Sequence, residues 1–458
     1  MTVEAVPTLQ VAELTVATGL VAGGRPALVA VNSLSLSWGR GTVLEQTTPA
    51  RARVTVLDTS PGRVFACRRD LIGQVMRLGW SAPGSTGTNF RGRITDMTMD
   101  RYESPDGSRV GIAVTLDASS IEVDAANYLQ QAAGALWPAE SFTARLARIV
   151  SHLPVGLVTA AEVHPGWATY TAAQIDVFDV DLLSLLRRLF DSTARPLIYD
   201  PGADKFTYGL RRFIAAGAAG GDVLHSAMLA LAGGKWAATC SPVGGSWLDA
   251  RRFGYDGSIV ADVASRLTRV QVGYLDVAAG YASATSEVQL ATSPGEETTG
   301  RRALTVDTMH ANAAGAADCA AEWASLALSE AALPRLEPVT FATARTPFAD
   351  AAEVALLLAG VESSTWRFLR RSWLPEVGVP PLVGIIGGTI GYAAGQWTVQ
   401  AQLAGAVNQN FPPGLMPAYA ATDNTVRLVD LDDSLTVGDC AHVSIGAGYT
   451  AATMPFVT

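Results

Sequence analysis

The sequence predicts a β-dominated α+β protein, and three observations predict it. Side chains alternate with a period of two in the early third, at residues 51–57 and again at 90–102. The same alternation returns later, at residues 267–274, and residues 300–308 read as another strand. Apolar residues at helical spacing are confined to a few segments, within residues 139–152, 179–194 and 311–332. A period of two marks a strand with one buried face, and a recurrence every three to four residues marks an amphipathic helix.

Residues 3–20 alternate loosely and are expected to hold a strand or an arm, and Gly23-Gly24-Arg25-Pro26 is a turn. In the strand that follows, Leu34, Leu36 and Trp38 share one parity, and Trp38 caps the apolar face. Thr47, Thr48 and Pro49 then interrupt the pattern, since proline donates nothing to a ladder. Arg51, Arg53 and Thr55 fall on one face of the next strand, and Ala52, Val54 and Val56 on the other. Further on, Phe90, Gly92, Ile94, Asp96 and Thr98 share one parity; Arg91, Arg93, Thr95, Met97, Met99 and Arg101 share the other. Asp106-Gly107 signals a tight turn before residues 110–116 return. This is the pattern of an antiparallel meander or small barrel, and it bounds a first domain at residues 1–120.

The next segment, 121–234, reads as α/β. Residues 125–134 are alanine-rich and helical in propensity. Phe142, Leu146, Ile149 and Val150 recur at helical spacing, as do Leu182, Leu183, Leu185, Leu186, Leu189 and Phe190, until Arg195-Pro196 ends the helix. Residues 196–200 form a short strand, Pro201-Gly202 a turn, and residues 214–221 a small-residue loop. Segment 235–407 is β again, with discontinuous strands and one long helix. Residues 278–299 are polar and read as a long loop or hairpin. The helix at 311–332 carries Cys319, Trp323, Leu326 and Leu328, and Pro334 stops it. Residues 377–397 lack charge and would span a bilayer if helical. Pro380, Pro381, Gly384, Gly387, Gly388 and Gly391 favour instead a bent strand that turns near 393–395 and continues through 396–403, with a membrane-active tail-tip peptide as the minority option. Residues 408–417 form a linker, and the rest of 408–458 reads as a small β appendage that must pack on something.

Trp38-Gly39-Arg40, a strand holding Pro49, Leu57 and Asp58, and a later one holding Phe90, Gly92 and Ile94 together resemble the minor tail proteins of long-tailed phages. More narrowly, the chain resembles their baseplate hub, the tail-tip protein related to the hub of contractile-tailed phages. Shorter echoes lie at residues 196–199, 300–308 and 396–399. The resemblance implies two small β-barrel-like hub domains, 1–120 and 235–407, an α/β insert at 121–234 and a C-terminal β appendage at 408–458. The first barrel would use residues 34–116, and the second 235–308 with 383–403. It also implies a non-enzymatic structural virion protein, without cofactor or metal, that closes or lines the DNA channel. Two similar barrels per subunit would let a homotrimer offer matching surfaces to a hexameric tail tube. The implied partners are the distal tail or tail tube protein, the tape measure protein and other minor tail proteins. Genome DNA would be met only in transit, and no stable membrane insertion is implied. The implied location is the tail tip of the virion, after assembly in the host cytoplasm.

Composition sets further bounds. A chain of 458 residues exceeds one core and implies several domains. With 49% hydrophobic and only 16% charged residues it folds, and so low a charge density points to an obligate oligomer. A net charge of -9 argues against a dedicated nucleic-acid binder. Lys205 and Lys235 are the only lysines; with the resemblance, this arginine- and alanine-rich usage gives a high-GC Gram-positive host type as the expectation. Arginines are dense between Trp38 and Arg101, where a solvated or ion-paired face is the ordinary reading and a contact onto an acidic neighbour the sharper one. Cys67, Cys240, Cys319 and Cys440 fit no metal-ligand spacing and read as buried free thiols. The first residues, 1–7, lack a basic region followed by an apolar core, so no secretory signal is expected.

No residue is assigned to catalysis, cofactor binding or metal binding. His152, His164, His225, His310 and His442 form no metal motif, and Cys440-Ala441-His442 makes no dyad. Asp176, Asp179 and Asp181 read as a helix start, while Asp430, Asp432 and Asp433 could supply hard ligands to calcium. Glu140 and Glu162 lack a carboxylate partner for glycosidase chemistry. Gly244-Gly245-Ser246 is no nucleophile elbow, and Gly233-Gly234-Lys235 no phosphate loop. Two rival readings remain: a tail-associated cell-wall hydrolase, and a carbohydrate-binding receptor protein using Trp137, Trp167, Trp236 and Trp247.

Overall fold

The computed structural model describes residues 3–12, 14–16, 20–21, 25–26, 29–60, 63, 65–103, 110–128, 136–209, 229–232, 235–238, 247–249, 259–260, 267–290, 296–332, 335–336, 338–362, 368–370 and 382–405. Alternation in the first third becomes the strands β1 (Val6–Val11), β2 (Leu14–Val16), β3 (Val29–Gly39), β4 (Thr48–Asp58), β5 (Val75–Ala82), β6 (Ser85–Glu103) and β7 (Val110–Ser120). They lie antiparallel in the order β3-β4-β7-β6-β5-β1-β2. The parities fall as the sequence implies: Leu34, Leu36, Trp38, Ala52, Val54 and Val56 are buried, while Arg51 and Arg53 face out. Each large apolar side chain so buried contributes about 1.5–3 kcal/mol.

Two features depart from the sequence reading. Strand β5 was not foreseen, because Val75, Arg77, Gly79 and Ser81 do not contrast sharply with Met76, Leu78 and Trp80. The single parity read along residues 90–102 also breaks at a bulge between Ile94 and Asp96. Beyond it Met97, opposite Leu116, packs against the first core in place of Phe90 and Ile94, while Met99, opposite Val114, stays exposed. An extra residue in one strand reverses every later side chain.

Asp58 ends β4 and shapes the chain that follows. Its carboxylate accepts from the Ser60, Phe65 and Ala66 amides at 3.0, 2.8 and 2.9 Å and from the Ser60 hydroxyl. Burial alone would raise this carboxyl; the hydrogen bonds from Ser60, Ala66 and Phe65 outweigh it and hold the group below its ordinary value. A depressed carboxyl stabilises the fold at pH above its unfolded value and loses that contribution as pH falls through the folded one. Asp58→Asn is therefore expected to lose about 1–3 kcal/mol at neutral pH and proportionally less near pH 3, read by urea denaturation at both.

The middle of the chain supplies α1 (Ile121–Ala126), α2 (Phe142–Ser151), α3 (Leu182–Asp191), β8 (Leu197–Asp200) and β9 (Lys205–Tyr208). Ser141 and Asp181 cap α2 and α3, accepting the amides of Ala144 and Ser184. Next come β10 (Arg269–Asp276), β11 (Ala282–Gln289), β12 (Ala303–Asp307) and α4 (Ala313–Ala332). Strand β10 lies between antiparallel β11 and parallel β12, with α4 packed against β10 and β11. The six apolar residues of α3 named from sequence, with Phe142, Phe206, Val270, Val272 and Trp323, form a second core.

The late chain returns to the first core. It adds β13 (Val339–Ala342), α5 (Ala351–Leu357), β14 (Leu382–Ala393) and β15 (Gln396–Gly405). Strands β14 and β15 form a hairpin turning at Ala394 and Gly395, both at positive φ, where the sequence implies a turn near 393–395. Among the described residues no helix is long and apolar enough to cross a membrane.

The chain is α+β and β-dominated. The expected pair of barrels is corrected by the hydrogen bonding. Strand β14 pairs with β3, from Gly387 opposite Gly39 to Ala393 opposite Ser33, so residues 383–403 complete the early sheet instead of joining β10–β12. Glycine is the reason: a side chain at Gly39 or Gly387 would meet the facing backbone, and only bare backbones fit that close. The Trp397 indole N–H, donating to the Ala5 carbonyl at 2.8 Å, fixes β15 over the start of the chain. The sheet so formed holds 12 strands, and among the described residues no sheet closes into a barrel. The appendage expected at 408–458 lies outside the described residues, as does the loop at 214–221.

Candidate functional site

Two sets of long-range polar contacts lie where the two cores meet. Arg40, just past β3, sends Nε and Nη2 to the two oxygens of Glu362 at 2.9 and 2.8 Å, and Nη1 to the Val43 carbonyl at 2.7 Å. Both side chains are 1% exposed, so this is a fork-to-fork ion pair away from water. Arg91, on the outward face of β6, enters the insert and reaches Asp204, the Tyr199 hydroxyl at 3.1 Å and the Leu157 carbonyl at 2.7 Å. The Tyr199 hydroxyl donates in turn to Asp204 at 2.7 Å, and burial first of all pushes its ionisation up.

A second seam runs along the entry to β4. Gln46 donates to Asp191 at 2.6 Å and accepts the Leu197 amide at 2.8 Å, and the Thr47 hydroxyl donates to the Leu197 carbonyl. Arg187 donates to the Thr47 carbonyl at 3.1 Å. Behind them Glu122 accepts from the Ser120 hydroxyl at 2.9 Å; burial pushes its carboxyl up to about 7. Burial likewise pushes Asp191 up to about 6. These bonds hold two bodies in one orientation.

The residues weighed from sequence lie apart from one another. His152 sits at the end of α2, its Nδ1 2.8 Å from the Arg148 carbonyl. The Ser151 hydroxyl is 3.3 Å from the same nitrogen but donates to that carbonyl at 2.7 Å, a helix-end arrangement. His164 accepts the Gly166 amide and lies edge-on to Tyr208. His310 is buried among Phe142, Trp167 and Tyr170 with Nε2 2.8 Å from the Ser192 carbonyl, and burial pushes it down to about 4, which leaves it neutral. Asp176 and Asp181 accept backbone amides at a turn and a helix start. Among the described residues no group of His, Cys, Asp and Glu could hold a metal.

Glu140 pairs with Arg145 and Arg148, and Glu162 with Lys205 and Thr207, so each carboxylate faces cations or a hydroxyl. Trp137 and Trp167, offered from sequence as sugar platforms, are buried. Trp236 and Trp247 lie on short strands. His225, His442, Cys240, Cys440, Ser246, Gly233, Gly234 and the aspartates 430, 432 and 433 lie outside the described residues.

Several of the arginines between Trp38 and Arg101 pair with carboxylates of this chain. Arg53, Arg68, Arg93 and Arg101 pair with Asp117, Asp70, Asp124 and Glu103. Sequence reasoning missed the long-range members, Arg40 with Glu362 and Arg91 with Asp204. The partners are hundreds or scores of residues away and leave no periodic trace. The one available signal was an arginine beside glycine at a strand end, at Gly39-Arg40-Gly41.

No protein-family model matches the chain, and no curated protein matches it. Among solved structures, the chain is similar to the tail protein from Neisseria meningitidis MC58, with 9% identity and a TM-score of 0.49, over 87% of this chain and 96% of that one. It is similar to the 43 kDa tail protein of prophage MuSo2 from Shewanella oneidensis, with 9% identity and a TM-score of 0.48, over 87% of this chain and 98% of that one. A third likeness is to the prophage tail protein gp18 from Listeria monocytogenes EGD-e, with 12% identity and a TM-score of 0.39, over 81% of this chain and 88% of that one. These likenesses concern the path of the chain and assign it no activity.

Proposed function

We propose that this chain is a structural protein of a phage tail, a baseplate hub or minor tail protein at the tail tip. In this reading it forms a homotrimeric ring that joins the tail tube to the host-attachment apparatus and closes or lines the channel crossed by the genome. Its partners would be the distal tail or tail tube protein, the tape measure protein and other minor tail proteins.

The observation that carries the reading is the position of the residues behind the sequence resemblance. Trp38, Phe90 and Ile94 lie in the first core. Gly39 and Gly92 stand where a side chain would strike the backbone of a neighbouring strand. Arg40 is locked to Glu362, and Asp58 organises the turn after β4. Residues shared for catalysis converge on a substrate, whereas these hold strands in register across one sheet.

Light scattering on the purified full chain is expected to return three times the chain mass. A monomer at micromolar concentration would count against the ring. Turnover of purified peptidoglycan would replace this reading with that of a cell-wall hydrolase.

A further inference from the structure

The outer face of the first sheet carries a cleft of about 310 Å³, away from both polar seams. Two rows of directly opposed residues line it. Thr398, Gly391, Ser35 and Arg53 form one row across β15, β14, β3 and β4; Gln396, Ala393, Ser33 and Thr55 form the other. Opposed residues share a face, and the neighbouring positions Trp397, Ile390, Leu34 and Val54 are buried in the first core, so both rows face away from it. Among the described residues the Ser33, Ser35 and Thr398 hydroxyls have no partner. Gln396 accepts the Thr343 hydroxyl through Oε1 at 2.9 Å, which leaves its NH2 to donate. Arg53 gives Nε and Nη2 to Asp117 at 2.7 and 3.0 Å and keeps Nη1. Gly391 floors the cleft, and no demand of the backbone explains it. Glycine weakens a strand interior, where it marks a bulge, a bend, or a close approach by backbone or ligand. At Gly387 the register shifts, and a side chain at Gly387 or Gly388 would strike facing backbone. Gly391 lies in regular pairing without positive φ, and a side-chain carbon there would find its nearest facing atom at 3.7 Å. The bare Cα gives the cleft its depth.

We propose that this cleft binds an uncharged glycan through Ser33, Ser35, Arg53, Gln396 and Thr398. Short hydroxyls, a carboxamide and one guanidinium N–H supply convergent donors and acceptors. Ala393 and the bare Gly391 supply C–H surface between them, and a sugar ring presents both kinds of group. An anion fits poorly, because Asp117 already balances Arg53, the cation of the lining. An added peptide strand fits poorly too, since β3 and β14 spend their backbone groups on ladders to both sides and the cleft lies on a face, not an edge. The site goes beyond the structural role proposed above and would stand if that role failed.

The test is saturation-transfer NMR on the purified full chain. The probes are the methyl glycosides of glucose, galactose, mannose, rhamnose and N-acetylglucosamine, and the neutral polysaccharides dextran and mannan. Transfer to at least one of them is expected; transfer to a polysaccharide without its monomer names a polymer as the source, and the reverse names a free sugar. Gly391→Val fills the floor of the cleft and is expected to abolish transfer. Its melting temperature is expected to hold or rise, because valine suits a strand better than glycine. Ser35→Tyr, on the exposed face directly opposite, blocks the cleft from the neighbouring strand and serves if the first variant fails to fold. The proposal is overturned by absence of transfer to every probe, or by transfer that persists in a folded blocking variant. Stronger transfer to glucose 6-phosphate than to methyl glucoside overturns it as well.

Discussion

Truncating Glu362 to alanine is expected to cost about 3–5 kcal/mol of folding stability, the loss typical of breaking one half of a buried ion pair. The cost arises at Arg40, not at Glu362. The guanidinium is 1% exposed and donates from Nε and Nη2 to the two oxygens of that carboxylate, so truncation removes a bidentate acceptor from a buried cation. The measurement is urea denaturation, with the midpoint lowered and the slope unchanged. A companion variant tests the cause. Replacing the pair together, Arg40→Met with Glu362→Leu, is expected to recover most of the loss, because apolar pairs of similar volume replace buried ion pairs at little cost. A loss below about 1 kcal/mol in Glu362→Ala would mean that water reaches the guanidinium.

Gly39→Ala is expected to be comparably damaging and to act in a defined place. Gly39 has φ +85°, and a side-chain carbon there would lie 2.3 Å from both the Gly387 Cα and the Ile386 oxygen. The left-handed backbone alone costs a non-glycine residue about 1–3 kcal/mol, and the contact with β14 adds to it. The clash is with backbone, so no rotamer relieves it. Exchange of the β14 amides, Gly388 to Ala393, is expected to accelerate well before that of β5 and β6, which lie on the far side of the sheet. Uniform acceleration would place the strain elsewhere.

Local patterns were legible wherever one face is wet and the other dry. The contrast of Arg51 and Arg53 with Val54 and Val56 marked β4, and the leucine stripe from Leu182 to Leu189 marked α3. The 382–403 hairpin was legible from its glycines and its lack of charge. Its neighbour was not. The facing of Gly387 with Gly39 depends on two bare backbones meeting across most of the chain, and no local period records that. The same holds for the seam between the cores. Gln46, Thr47 and Asp191 look like ordinary loop and helix-end residues until the fold sets them side by side. The bulge at Ile94 shows the opposite failure, a correct strand with half its faces assigned backwards.

The pairing of β14 with β3 also has a consequence for how the molecule is made. A ribosome delivers the opening strands first, and their flank remains uncovered until almost the whole polypeptide has emerged. Contacts between such distant parts of a sequence slow folding, because a very large loop must close before they yield any stabilisation. During synthesis Leu34, Leu36 and Trp38 therefore offer a sticky, unfinished border to other nascent chains. Slow elongation or a holding chaperone would protect the product most during that interval.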